Sequence, residues 1–183
     1  MKDAAGNSIA TAIADGDLGA VIVDGNVPSL TSVAATDGSY GVGETLTITV
    51  TWGEAVVVSG TPTLTLSNND IATYQSGSTS NALVFTTLIA QGDTASGDLS
   101  VSSYSGSITD AAGNTAAAAS GDLGAVIVDG LVPVFVSVTA VDGTYKIGDT
   151  ISITVTWGEA VVKSGTPTLA LSCLLYTSPS PRD

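Results

Sequence analysis

A long internal repeat constrains this sequence more than any other feature. The segment GDLGAVIVDG at 16–25 recurs 105 residues later at 121–130, and VTWGEAVVVSGTPTLTLS (50–67) returns in the same register as VTWGEAVVKSGTPTLALS (155–172). Roughly three-quarters of the positions aligned in this way are identical. Since this period is the size of one small domain, the chain is expected to fold as consecutive copies of that domain.

The repeat divides the chain into four predicted segments. Residues 1–25 align with the end of the complete copy at 26–130, and 131–172 repeat only its first part, with three predicted strands. Residues 173–183, CLLYTSPSPRD, do not follow the repeat, and their reverse translation looks like the adapter of a sequencing library. We therefore expect this tail to be foreign to the natural protein, and we exclude it from functional reasoning.

The complete copy is predicted to be all-β. In TLTITVTW (45–52) apolar residues alternate strictly with threonine, which is typical of a strand with one buried face. Similar runs, bounded by Gly, Asp, Asn or Pro, lie near 29–36, 62–67, 70–75, 82–89, 98–104 and 121–129. About seven short strands in roughly 100 residues predict an immunoglobulin-like β-sandwich. Its large core residues would be Trp52, Phe85 and Tyr104, and Asp37-Gly38 would form its first tight connection.

Charge and composition exclude several classes of function. Seventeen acidic residues against four basic ones give a net charge of −13, which disfavours binding to nucleic acid or anionic membranes. Histidine is absent and Cys173 is the only thiol, so His-based catalysis, disulfides and His or Cys zinc sites are excluded. The sequence shows no apolar run long enough for a membrane helix. We therefore expect a non-enzymatic protein whose natural ligands are cations.

The order of the motifs resembles a known family. The series VPSLTSVAATDGSYGVGETLTITVTWGEAVVVSGTPTLTLS, then ITDAAGN, then GDLGAVIVDG resembles the bacterial immunoglobulin-like repeats of giant secreted surface proteins and adhesins, the extender domains of RTX-type adhesins. The likeness covers nearly all of residues 1–172. It implies an extracellular or cell-surface extender array, in which neighbouring repeats are the partners and an unknown receptor is bound elsewhere. In this family many arrays are stiffened by calcium between domains.

Calcium candidates follow from placing the acidic residues on that topology, since calcium takes six to eight oxygen ligands. At the pole nearest the preceding domain, the candidates are Asp24, Glu54, Asp110 and Asn114. Their equivalents at the following junction are Asp129 and Glu159, and the opposite pole could add Asp37 or Asp98. Each of these residues has an alternative role in a turn or a capped loop. No D-x-D-x-D-G calcium loop occurs in either copy.

Four other interpretations stay open at this stage. The repeats could be an accessory module that positions a catalytic domain of an extracellular enzyme, or they could bind a ligand such as a sugar directly. Glu54 and Asp110 could be imagined as the carboxylate pair of a glycosidase. Threonine rows could suggest an ice-binding face, although threonine is common on the solvated side of any sheet.

Overall fold

The computed structural model describes residues 2, 4–6, 22–93 and 97–172, and every regular element among them is a β-strand. This part of the chain contains no helix that is long and apolar enough to cross a membrane. Two compact units are present, Met1–Leu131 and Val132–Asp183. The division falls one residue beyond the predicted end of the complete repeat. The tail at 173–183 and the first GDLGAVI segment at 16–22, except Ile22, lie outside the described residues.

The first unit contains eight strands in the part of it that the structure describes. They are β1 (Leu30–Ala35), β2 (Gly38–Gly41), β3 (Thr45–Leu66), β4 (Ile71–Ser76), β5 (Ser80–Leu88), β6 (Ser100–Thr109), β7 (Gly121–Asp122) and β8 (Val126–Asp129). The all-β prediction is confirmed, and most of the predicted runs coincide with these strands.

The threonine-alternating segment forms the centre of the core. Leu46, Ile48 and Val50 are completely buried and Trp52 is 1% exposed, while the intervening threonines face outward or are half-buried. Phe85 on β5 is also completely buried. The core of the first unit is therefore built mainly from one face of β3, β5, β6 and β8, as expected of a sandwich-like β structure.

Strand β3 is longer than predicted because it unites the predicted strands at 45–52 and 62–67. Its first half pairs antiparallel with β1 and β5, so that Ile48 lies between Ala35 and Phe85. Its second half pairs with β6 and β4, as in the pairs Leu64 with Tyr104 and Leu64 with Ala72. The register with β5 shifts between Thr51 and Val56. The backbone around residue 54 is thus where β3 exchanges one set of partners for another.

The Asp37-Gly38 dipeptide does more than turn the chain. Gly38 begins β2, which leaves β1 and runs parallel to β8 from the pair Gly38–Val126 to the pair Gly41–Asp129. The predicted final strand at 121–129 is divided into β7 and β8 around Gly124, whose φ is +87°. Asp37 stabilises that break because its Oδ1 accepts a hydrogen bond of 3.0 Å from the N–H of Ala125.

The second unit repeats the start of the first in detail. Its strands are β9 (Phe135–Ala140) and β10 (Ile153–Trp157), which pair antiparallel with the same bulge near the end of the ladder as β1 and β3. Tyr145 donates to the carbonyl of Val141, as Tyr40 donates to that of Thr36. The predicted third strand of this copy, near 167–172, is absent from the described residues, where no strand follows β10. A strand there lacks the partners that β4 and β6 supply in the first unit.

Candidate metal centre

Three carboxylates from distant parts of the sequence converge in the first unit. Asp24 lies in the segment before β1, Glu54 lies where β3 exchanges partners, and Asp110 directly follows β6. One carboxylate oxygen of each lies within 4.8 Å of the others. The structure thus brings together the three carboxylates that the sequence predicted for this pole, and the resulting triad has the dimensions of a metal site.

Asp110 is the most deeply buried member of the triad. It is 4% exposed, and it is the one buried charged residue in the described part of the chain. Its Oδ1 accepts hydrogen bonds from the backbone N–H groups of Ala112 (2.9 Å) and Asn114 (2.8 Å). Burial by itself would raise the pKa of Asp110, but the side-chain and backbone hydrogen bonds of Asn114, with those of Ala112 and Gly113, hold the pKa below its usual value. The loop is therefore built to keep this group anionic.

Asn114, which the sequence predicts as an oxygen ligand, contacts the same site through its side-chain amide nitrogen. Its side-chain Nδ2 donates to Oδ2 of Asp110 at 2.7 Å and to the backbone carbonyl of Asp24 at 3.1 Å. The amide thereby connects the loop after β6 to the segment before β1. The spacing of Asp110 and Asn114 identified the loop, but whether an asparagine offers its oxygen or its nitrogen depends on the groups that the fold brings to it.

The segment before β1 is held against the same end of the unit by backbone contacts. The carbonyl of Pro28 accepts a hydrogen bond of 2.8 Å from Ala117, and that of Ser29 accepts one of 2.8 Å from Gly53. Asp24 itself forms a local turn in which its Oδ1 accepts from the N–H of Asn26 at 3.0 Å. Because Gly53 precedes Glu54 directly, one of these bonds fixes the approach of the segment to the second carboxylate.

The electrostatics of the triad favour a cation. Between residues 3 and 145 the sequence contains no Lys, Arg or His, so no side chain of that region can supply a compensating positive charge. Asp24 is exposed and Glu54 is half-buried, which leaves the cluster open to an ion from solvent. Carboxylate oxygens are hard ligands, and an all-oxygen donor set suits Ca²⁺, Mg²⁺ or Mn²⁺ better than softer metals. The triad could therefore hold a divalent metal ion.

The remaining predicted residues occupy different settings. Asp129 repeats the local turn of Asp24, because its Oδ1 accepts from the N–H of Leu131 at 3.1 Å. Asp129 belongs to the first unit and Glu159 to the second, where Glu159 is half-buried. Asp37 accepts a hydrogen bond from the N–H of Ala125, and Asp98 is exposed. Within the described residues, neither Asp37 nor Asp98 joins a cluster of metal-ligating groups.

The short separation of Glu54 and Asp110 also bears on the glycosidase alternative. A general acid in such a pair needs a raised pKa so that it carries a proton at neutral pH. Asp110 has its pKa shifted downward, and both of its oxygens accept hydrogen bonds from its own loop. These properties suit a metal ligand better than an acid catalyst.

Comparisons with protein-family models, with curated proteins and with solved structures give no significant match to this chain.

Proposed function

We propose that the chain is a structural extender segment of a large secreted or cell-surface protein, as in adhesins, and that calcium bound by Asp24, Glu54 and Asp110 stiffens it. The single observation that carries this proposal is the convergence of the three carboxylates from three separate segments. An ion bound there would join the segment before β1, the middle of β3 and the loop after β6.

The immunoglobulin-like part of the proposal is supported by the order of strand pairing. Strand β3 lies at the centre of one six-stranded sheet: β1 and β5 pair with its first half, β6 pairs with its second half, and β4 pairs with both β5 and that second half. Strand β2 pairs parallel with β8 instead of extending the ladder of β1. An early strand that changes sheets in this way fits a two-sheet sandwich with Greek-key connections.

Calcium is the preferred ion because of the donor set and the coordination number that it allows. Three carboxylates supply three to six oxygens, depending on whether each binds through one oxygen or two, and water or backbone carbonyls complete the six to eight ligands that calcium takes. Mg²⁺ requires a stricter octahedral geometry and retains more of its water. An open cluster with one exposed member, Asp24, suits the more adaptable ion.

The mechanism by which calcium would stiffen the chain is restraint of the segment that enters the unit. Asp24 lies six residues before β1 and is otherwise held through Asn26 and Asn114. Binding of the ion would hold the carboxylate of Asp24 beside those of Glu54 and Asp110, where it already lies, and remove the repulsion among three anions. Because the ion would bind only the folded arrangement, it would also raise the stability of the unit by mass action. The protein has no catalytic role in this proposal.

Calorimetric titration of the whole chain with Ca²⁺, and with Mg²⁺ for comparison, tests the proposal. At a calcium concentration about one hundred times the Kd, we expect a gain of about 2.7 kcal/mol and a rise in Tm of about 10 °C or more. Glu54→Gln should weaken calcium binding at least tenfold, whereas Asp98→Asn, a change of an exposed carboxylate outside the cluster, should leave it unaltered. Equal melting temperatures in calcium and in chelator, with no heat of binding, would refute the metal role.

A further inference from the structure

The strands at the entrance and the exit of the first unit are joined directly to each other. β2 follows β1 after only two residues, and it pairs with β8, the last strand of this unit in the part that the structure describes. The two strands run parallel over four residue pairs, from Gly38–Val126 to Gly41–Asp129. A short parallel ladder therefore links the segment by which the chain enters the unit to the strand by which it leaves.

The parallel direction determines how tension acts on this pair. A pull on the chain before β1 draws β2 toward its own beginning, and a pull on the chain after β8 draws β8 toward its own end. Because the two strands point the same way, these forces are opposite and lie along the strands. The hydrogen bonds of a parallel ladder are evenly spaced, so they share such a shear load and must break together. In an antiparallel hairpin pulled at its two chain ends, the bonds would open one after another.

Asp37 adds a side-chain bond at the beginning of the pair. The N–H of Gly38 donates to the carbonyl of Ala125 at 3.0 Å, and Oδ1 of Asp37 accepts from the N–H of Ala125 at 3.0 Å. A β-carbon at Gly124 would lie 2.6 Å from that Oδ1, so glycine at this position is what allows the carboxylate to approach. Both polar groups of the Ala125 backbone are thus tied to the connection between β1 and β2.

Burial opposes sliding of β8 along β2. Val126 is completely buried and Val128 is 1% exposed, whereas Ile127 between them is 43% exposed. A slip of one residue would turn the two valines out of the core, because neighbouring side chains of a strand point to opposite faces. The pair therefore resists a small displacement and has to rupture as a whole.

From this topology we propose that the β2–β8 pair is the mechanical clamp of the unit, the contact that sets the force at which the unit unfolds when the chain is pulled along its length. Its use in the molecule rests on the proposed extender role, since an extender segment of a surface protein transmits tension. The clamp itself does not depend on the metal centre, because none of the three triad carboxylates lies on β2 or β8.

Single-molecule force spectroscopy on the full chain tests the clamp by changing only the direction of the pull. Handles are attached through introduced cysteines in a Cys173→Ser background. One variant carries Val23→Cys and Leu131→Cys, so that the force enters before β1 and leaves after β8. The other carries Val42→Cys and Leu131→Cys, which places the handles just beyond the ends of β2 and β8 and peels the pair open from that end. All three positions are exposed, and the backbone bonds of Gly130 are loaded in both variants.

Forced unfolding reports the barrier to unfolding, so the first direction should need a rupture force about twofold higher or more than the second. Asp37→Ala should lower the force in the first direction and leave the second unchanged, because peeling starts at the opposite end of the pair. Ser80→Ala is the matched control. It also removes hydrogen bonds from a side chain to the backbone, but at the start of β5, and it should change neither force.

Equal forces in the two directions would overturn the clamp, as would an Asp37→Ala variant that ruptures at the unsubstituted force. The comparison of directions retains Asp37, so it decides the question even if that variant fails to fold. The measurements are made in calcium and in chelator. The higher force of the first direction should persist in chelator, so that a failure of the metal proposal and a failure of the clamp are told apart.

Discussion

The side-chain amide of Asn114 donates a hydrogen bond of 3.1 Å to the backbone carbonyl of Asp24, across 90 residues of sequence. The same nitrogen donates to Asp110, so one amide joins a metal-ligand candidate to the segment that carries another. These two bonds hold the loop of Asp110 and the segment of Asp24 together. Asn114 is therefore a positioning residue, and its replacement should weaken the attachment of the segment that contains Asp24.

Replacing Asn114 separates positioning from ligation. Asn114→Ala removes both donated bonds and should lower the Tm in chelator by several degrees, since a hydrogen bond of this kind contributes about 1 kcal/mol. Asn114→Asp should also destabilise the metal-free protein, because it places a further anion beside Asp110. In calcium, however, Asn114→Asp should regain most of the lost stability while Asn114→Ala should not. Melting curves of both variants with and without calcium give the answer, and identical calcium responses would contradict the expectation that a carboxylate at this position adds a metal ligand.

Neutralising Glu54 should have opposite effects on the two forms of the protein. In chelator, Glu54→Gln relieves repulsion with Asp24 and Asp110 and should leave the Tm equal or slightly higher. In calcium the same variant should be less stable than the unsubstituted chain, because it has lost a ligand. We therefore expect the order of the melting temperatures of Glu54→Gln and the unsubstituted chain to reverse between chelator and calcium. Asp98→Asn is the control, and its melting temperature should match that of the unsubstituted chain in both conditions. A Glu54→Gln variant that is destabilised equally in both conditions would assign Glu54 a purely structural role.

Acid should weaken the metal-free protein through Asp110. Its pKa is lower in the folded state than the unfolded value of about 3.9, so the unfolded chain binds the proton more readily. The stabilisation is therefore complete above about pH 5 and is lost as the pH falls through the unfolded value toward the folded one. Urea denaturation midpoints between about pH 2 and 6 should show this slope, and Asp110→Asn should flatten it. If the slope is unchanged in that variant, the acid sensitivity arises from other carboxylates and not from Asp110.

Gly106 is required by the close passage of β6 over Pro62. A β-carbon at Gly106 would lie 2.7 Å from Cα of Pro62, and its φ is +114°. Gly106→Ala therefore combines a backbone clash with an unfavourable dihedral angle, and it should cost about 2 kcal/mol or more. Gly97→Ala is the control, because Gly97 has no atom within 4 Å of the added carbon and no positive φ. Chemical denaturation should show a large loss for the first variant and almost none for the second.

Local pattern predicted the strands because period-two alternation reports burial directly. The alternation predicted that Ile48 and Trp52 are buried, and both are. Pattern did not show that 45–52 and 62–67 are one strand, because Gly60 and Pro62 in the connecting stretch read as a break. Tyr104 was predicted as a core residue, but it is only partly buried because its hydroxyl donates to the carbonyl of Ala116.

The candidate site was accessible from sequence only through topology. Asp24, Glu54 and Asp110 have no local motif in common, and their meeting depends on how the first segment, β3 and the loop after β6 are arranged. An assumed immunoglobulin-like order of strands was enough to place them at one pole. The order of strands could not predict the hydrogen bonds of Asn114 or the one that Asp37 accepts from the N–H of Ala125. Those bonds depend on side-chain geometry in the folded unit.

The two copies of the repeat allow one substitution to be tested in two environments. Ile48 is completely buried between β1 and β5, whereas Ile153, its equivalent in β10, is half-buried and has a strand on one edge. Ile48→Ala should cost about 2 to 5 kcal/mol, because it leaves a cavity in a closed core. Ile153→Ala should cost less than about 1 kcal/mol, since solvent already reaches that position. The unfolding of the first unit, followed through hydrogen exchange of β3 and β5, should respond to the first change and not to the second. Hydrogen exchange of β9 and β10 reports the second unit separately, and a loss there from Ile153→Ala as large as that from Ile48→Ala in the first unit would show that Ile153 lies in a closed core of its own.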